Sequence, residues 1–356
     1  MNIQPSKPFH LLLSSLLLGL ALPAMAALSA PFGTGLAKVV KTVTPTTTTT
    51  PAVVGTIDPV NGYLSVSGSL KRSWVSQSGG LVQSNNLLTV SSATMNVAGV
   101  TRRYLSMRPT APTANLPVLL LLHASGVTPE AMASLTEVAD YAATQGFWVV
   151  LPAAVGGVWK DDPLKTGSDD VNFITALITQ LGGQGADPAR IYAAGYSNGG
   201  FMATRLACAA SDRIAAFAVV AATTRYGVSS TCGTPLSRPK VWFVGTADTI
   251  VPIAGALDLR SADSTLAFWN SRQGCAGVLA SSLPNRSTTD GTTVQLTRYT
   301  GCSGSAPGGT AIENQVYTVT GGGHAWPGGL VSVTGVISQD IKATGLIWNF
   351  VRGYRR

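Results

Sequence analysis

The chain has 356 residues, 45% hydrophobic and 11% charged, with 24 Lys and Arg against 16 Asp and Glu for a formal net charge of +8. That length and apolar content support a buried core in one large domain or two modest ones, which excludes a disordered or fibrous chain. The charge is diffuse, and its small clusters, Arg102-Arg103 and the C-terminal RGYRR, lack interleaved aromatics; nucleic acid is not an expected partner, and solubility or weak adsorption to acidic surfaces is the better use of it.

Residues 1–26 read as a secretory signal, with Lys7 in a positive n-region, Leu11 to Leu22 as the apolar h-region and Ala24-Met25-Ala26 as a small-residue cleavage site. The mature chain is expected to start near Ala27. No cysteine near that point suggests a lipid anchor, and no later apolar run approaches the roughly 20 residues that span a bilayer. A secreted protein, extracellular or periplasmic and without a membrane anchor, is expected.

Residues 27–55 contain KTVTPTTTTTPAVV, a Thr/Pro-rich linker or tail with little apolar mass. Residues 56–90, with GYLSVSGSL and GLVQSNNLLTV, alternate like short strands and predict a small β-rich extension. From residue 91 to 356, strand-like apolar runs alternate with helix-like segments, the grammar of a parallel-sheet α/β domain. Strands are predicted at 118–122 (VLLLL), 147–152 (FWVVLP), 191–195 (IYAAG), 241–245 (VWFVG), 294–299 and 314–319. Helices are predicted at 129–146, after the Ser168-Asp169-Asp170 cap, at 199–210, at 261–272 and at 337–351.

All four cysteines, Cys208, Cys232, Cys275 and Cys302, lie in the mature part, and in an exported chain an even count reads as disulfides. Of the three pairings, Cys208 with Cys232 and Cys275 with Cys302 are favoured, because each closes a short local loop. A zinc site is the alternative, but the spacings are long and no histidine flanks them.

GYSNGG, residues 195–200, stands where a strand ends and a helix begins. A sharp strand-to-helix turn exposes Ser197 at the carboxyl edge of the sheet, glycine at 195 and 199 relieves the crowding, and the helix start points N–H groups at developing negative charge. The bland alternative is a glycine-rich turn with an incidental serine, in a chain of 39 glycines. Of three histidines, His10 leaves with the signal and only His324, in GGGHAWPGG, follows the serine. A base in that loop is the reading; a core histidine is its rival.

Between them lie Asp212, Asp248, Asp258, Asp263, Asp290 and Glu313. Asp248 follows the strand VWFVG through Gly245-Thr246-Ala247 and so reaches the same sheet edge, whereas the other aspartates have ordinary turn or cap readings. Oxyanion donors are expected from the Asn198 amide and from the loop His123-Ala124-Ser125-Gly126, through Ser125 or Ala124, with His123 buttressing the loop.

Together these segments resemble the secreted esterase family of poly(3-hydroxybutyrate) depolymerases and related feruloyl and acetylxylan esterases. The likeness runs from about Thr94 to the C-terminus, through RRYLSMRP, PVLLLLHASG, DDVNFITALI, DPARIYAAGYSNGGFMATRLAC, GTADTIVP, FWNSRQGC, YTGC and VTGGGHAWPGG. The resemblance implies an α/β-hydrolase fold, a mostly parallel central sheet with helices on both faces, with Ser197 as nucleophile, Asp248 as orienting acid and His324 as base. It also supports pairing Cys275 with Cys302. The family pattern has His-Gly where this chain has His123-Ala124.

The expectation is therefore a monomeric serine esterase working through an acyl-enzyme with neither metal nor organic cofactor. A hydroxyalkanoate polyester is the leading substrate, and a feruloyl or acetyl ester on plant-wall polysaccharide the alternative. Trp326 and Trp159 either line the acyl or polymer cleft or pack under loops. A noncatalytic polymer-binding surface protein is the reading of another class, and a serine peptidase a third.

Overall fold

A computed structural model of the chain describes residues 53–356 apart from residues 112, 113, 168, 307 and 308. The expected signal at 1–26, nearly all of the 27–55 tract, and Ser168 lie outside the described residues.

Two hairpins come first, β1 (Val54–Ile57) with β2 (Leu64–Ser67) and β3 (Arg72–Gln77) with β4 (Gly80–Asn85). There follow β5 (Leu88–Val97), β6 (Val100–Pro109), β7 (Leu116–Leu122), α1 (Pro129–Leu135), α2 (Val138–Gln145), β8 (Trp148–Pro152), α3 (Asp170–Gly183), β9 (Ala186–Tyr196), α4 (Asn198–Ala209), β10 (Ala216–Val220), α5 (Tyr226–Thr231) and β11 (Lys240–Gly245). The chain closes with α6 (Ala262–Gln273), β12 (Gly277–Ser282), β13 (Thr293–Thr300), the short pairs β14 (Ser305–Ala306) with β15 (Thr310–Ala311), β16 (Asn314–Thr320), β17 (His324–Ala325) with β18 (Ser332–Thr334), and α7 (Ala343–Val351).

One 10-stranded sheet runs in the order β12-β13-β16-β11-β10-β9-β7-β8-β6-β5. Its centre, from β8 to β16, is parallel, and the flanking pairs β5/β6 and β12/β13 join it antiparallel. The central strands are apolar end to end, LPVLLLL in β7 and AFAVV in β10, because both faces are covered. On one face Leu120, Leu122, Ala193 and Val219 pack against Phe173 and Leu177 of α3 and Met202 and Leu206 of α4. On the other, Leu119 and Leu121 meet Val138 of α2 and Ile347 of α7. This is the α/β-hydrolase fold.

Several elements depart from expectation. The helix expected over 129–146 breaks at Glu137, whose φ is 52°. The carbonyl of Leu135 accepts the amide of Leu330, and that of Thr136 accepts the Thr344 hydroxyl, so neither continues a helix ladder. The last helix starts at Ala343 rather than Ile337, because Lys342 N is bonded to Asn61 O and Asp340 takes the amides of Arg286 and Ser287. β6, the central strand β10, α5 and β12 had no counterpart in the sequence reading; β12 is an edge strand whose residues are all exposed or half-buried, and so lacks the alternation that marks a strand. β5 begins at Leu88 and runs through the expected boundary at residue 90.

Both disulfides pair as favoured, Cys208 with Cys232 and Cys275 with Cys302. No described helix is long and apolar enough to cross a membrane.

Candidate active site

β9 carries the chain to Tyr196, and α4 starts at Asn198, so Ser197 alone makes the turn. Its φ of 54° and ψ of −119° lie where a non-glycine residue costs about 1–3 kcal/mol and persists only when its surroundings enforce it. Those surroundings are the glycines. A Cβ at Gly195 would overlap the carbonyl of Gly199, and a Cβ at Gly199 would overlap those of Leu122 and His123. The glycine pair therefore lets strand, helix and the loop after β7 close on one another. Ser197 remains half-buried amid buried neighbours.

Asp248 leaves the end of β11 and is 5% exposed. Its Oδ1 accepts the amides of Ile250 and Val251 at 2.9 and 2.8 Å, and its Oδ2 lies 2.7 Å from Nδ1 of His324. His324, 1% exposed, arrives from β16 through the glycine run, whose backbone lies against the Asp248 loop: Ala247 N donates to Gly322 O at 2.9 Å. The Tyr196 hydroxyl donates to His324 O at 2.8 Å and its ring lies 5.4 Å from the imidazole, so the residue before Ser197 also holds the histidine. Burial pushes the Tyr196 phenol well above its ordinary pKa, which keeps it a hydrogen-bond donor. With Nδ1 engaged by a carboxylate, Nε2 is the nitrogen left for proton transfer.

The other acids stay elsewhere. Asp258 pairs with Arg225, Asp212 with Arg213 and Glu313 with Arg298, Asp263 sits in the first turn of α6, and Asp290 caps a turn at Thr292.

The loop after β7 is held from below. His123 Nε2 accepts the Ala154 amide at 3.0 Å, which makes it the unprotonated nitrogen, and Nδ1 donates to Ala124 O at 2.8 Å. Burial, the largest influence, pushes this imidazole below its ordinary pKa, as a neutral buttress requires. The amides of Gly126 and Val127 are engaged by Gly157 O and Ala124 O, so neither is a candidate oxyanion donor. Ala124 is not among the non-glycine residues with positive φ, so its methyl group brings no backbone strain where the family pattern has glycine.

Trp159 and Trp326 are not cleft residues. They are 1% and 2% exposed, and their indole N–H groups are bound to His123 O and Thr344 Oγ1, each at 3.0 Å. Both pack beneath the site, because a buried indole with a satisfied donor has no surface left for substrate. What the sequence did not signal is that Asn198 uses its side chain as well: Oδ1 accepts Trp159 N at 2.7 Å and Nδ2 donates to Trp159 O at 3.2 Å. Arg225 pairs with the buried Asp161 two residues on, again without a local signature.

No family model matches the chain. A curated relative, "Putative esterase NocK" of Nocardia uniformis subsp. tsuyamanensis, is 28% identical over 293 residues, covering 72% of this chain and 81% of that protein. "Feruloyl esterase B" of Piromyces equi is 29% identical over 183 residues, 48% of this chain and 32% of that protein. Among solved structures, a "putative dipeptidyl aminopeptidase IV" from Bacteroides ovatus superposes with a TM-score of 0.51 at 12% identity, covering 85% of this chain and 43% of that one. The last likeness speaks for the fold alone. The chain is an α/β-hydrolase-fold protein similar in sequence to esterases.

Proposed function

We propose that the chain is a serine carboxylic ester hydrolase. Ser197 attacks the ester carbonyl while His324 takes its proton, Asp248 holds the imidazole tautomer and stabilises the imidazolium, and the alcohol leaves an acyl-enzyme. Water activated by the same imidazole then releases the acid. The oxyanion is met by the Asn198 amide and by the Ser125 or Ala124 amide. The observation that carries this reading is the buried Asp248–His324 pair at the same carboxyl edge as a serine held at positive φ.

The substrate class we favour is a feruloyl or acetyl ester borne by plant-wall polysaccharide. The sequence likeness to a feruloyl esterase supports it over the polyester reading placed first on sequence grounds, since neither relative is named for a polyester. Two disulfides support an exported protein in an oxidising compartment.

A fluorophosphonate probe tests the chemistry. Stoichiometric labelling of Ser197, lost in Ser197→Ala, is expected; a folded chain that stays unlabelled sinks the hydrolase reading. For substrate, methyl ferulate and acetylated xylan are offered beside a polyhydroxybutyrate film. Release of ferulate or acetate without clearing of the film is expected, and clearing alone would restore the polyester.

A further inference from the structure

We propose that Trp159 is a positioning residue for the oxyanion hole, joining its two halves; the inference rests on the esterase reading above. The two donors come from unconnected pieces of chain, the start of α4 at Asn198 and the loop at His123–Ser125 after β7. Stabilisation of an oxyanion needs both donors within about 0.5 Å of their productive positions, so whatever fixes one against the other affects the rate.

Trp159 touches both. Its backbone is bracketed by the Asn198 carboxamide through N–H···Oδ1 at 2.7 Å and Nδ2–H···O at 3.2 Å, and its indole N–H donates to His123 O at 3.0 Å. Its ring lies 5.1 Å from the His123 imidazole. Two further bonds sew the same segment to the loop, Ala154 N to His123 Nε2 at 3.0 Å and Gly126 N to Gly157 O at 2.9 Å.

The segment has its own footing. Lys160 N donates to Asp170 Oδ2 at 2.8 Å, Lys160 O accepts from Arg205, Asp161 pairs with Arg225, and Asp170 is held by the buried Arg102. Trp159 is thus a rigid tie anchored to α3 and α4. At 1% exposure it acts on the reaction only through the groups it holds.

Trp159→Phe removes the indole donor and keeps the backbone bracket; Asn198→Asp keeps Oδ1 and the backbone amide but replaces the Nδ2 donor with an oxygen facing Trp159 O. Turnover of p-nitrophenyl acetate is measured per active site, titrated with the fluorophosphonate, so that misfolded protein is not counted. For both variants kcat is expected to fall about tenfold with KM within about twofold, short of the 10²–10³ lost when a donor is removed outright. Affinity for a trifluoromethyl ketone, which presents an oxyanion, falls by the same factor as kcat/KM, and the pH midpoint of kcat/KM stays in place. Trp269→Phe, which loses a comparable buried indole bond to Thr224 away from the oxyanion loop, serves as the control.

If kcat per titrated site and ketone affinity are unchanged in both variants, Trp159 is packing and the inference is overturned. A wild-type chain that takes no label overturns the esterase reading and this inference with it, whereas a labelled wild type with unaffected variants leaves the esterase reading standing.

Discussion

Asp248 binds through both oxygens for different ends. Oδ1 takes two backbone amides that fix the loop, and Oδ2 takes the imidazole N–H that fixes the tautomer of His324. Asp248→Asn keeps the first and spoils the second, because an amide nitrogen facing Nδ1 favours the wrong tautomer. The expected result is a kcat lower by about 10³–10⁴-fold with a melting temperature close to that of the parent. Activity within tenfold of wild type would remove Asp248 from the mechanism. His123 shows how environment separates two histidines of one chain: each is 1% exposed, but His123 faces an amide and a carbonyl and is held neutral, while His324 faces a carboxylate.

At the scale of elements, β11 ends at the site and begins at Lys240, whose side chain is buried under α6. Nζ donates to Arg238 O at 2.7 Å and Gln273 Oε1 at 3.1 Å and lies 4.4 Å from the centre of the Trp269 ring. Burial first, and then the Arg238 charge, push its pKa from 10.5 down to about 7. Between those values the unfolded chain binds a proton that the folded chain does not, so stability rises with pH across that window. Lys240→Met removes this dependence. Its melting temperature relative to wild type should be most favourable near pH 7 and should decline toward pH 10; a constant difference over that range would show that the lysine does not titrate there.

At the scale of the molecule, residues 53–87 are bound to the same body as the site. Arg72 and Asn85 bind Asp140 of α2, Gln83 N donates to Ser134 Oγ of α1, and the carbonyls of Gly55, Asn61 and Gly62 accept from Gln145, Lys342 and Tyr141. The helices they cover carry the face of the sheet opposite α3 and α4. Deleting residues 53–87 should therefore lower the melting temperature by at least about 10 °C, the scale of several kcal/mol in a domain of this size, or abolish soluble expression. Unchanged melting after the deletion would mark these hairpins as an appendage.

The sequence made Ser197, Asp248 and His324 legible because their signals are local. A serine between glycines, an acid just past a strand end and a histidine in a glycine run are each marked by residues next to them in the chain. The favoured disulfides were legible for the same reason, each closing a short stretch. For Trp326 and Trp159 the sequence left cleft lining and packing both open, because position in a loop says nothing about which way an indole turns; Thr344, His123 and Asn198 decide that from other elements. The break at Glu137 likewise depends on Leu330 and Thr344, about 200 residues downstream. By itself, then, the sequence determined the elbow, the order of the three proposed catalytic side chains and the apolar parallel strands other than β10, since short-range crowding and periodicity act within a few residues. Only the tertiary structure decided how Asn198, Trp159 and His123 lock together, because those hydrogen bonds exist only once the helix start and the two loops are packed on the same sheet edge.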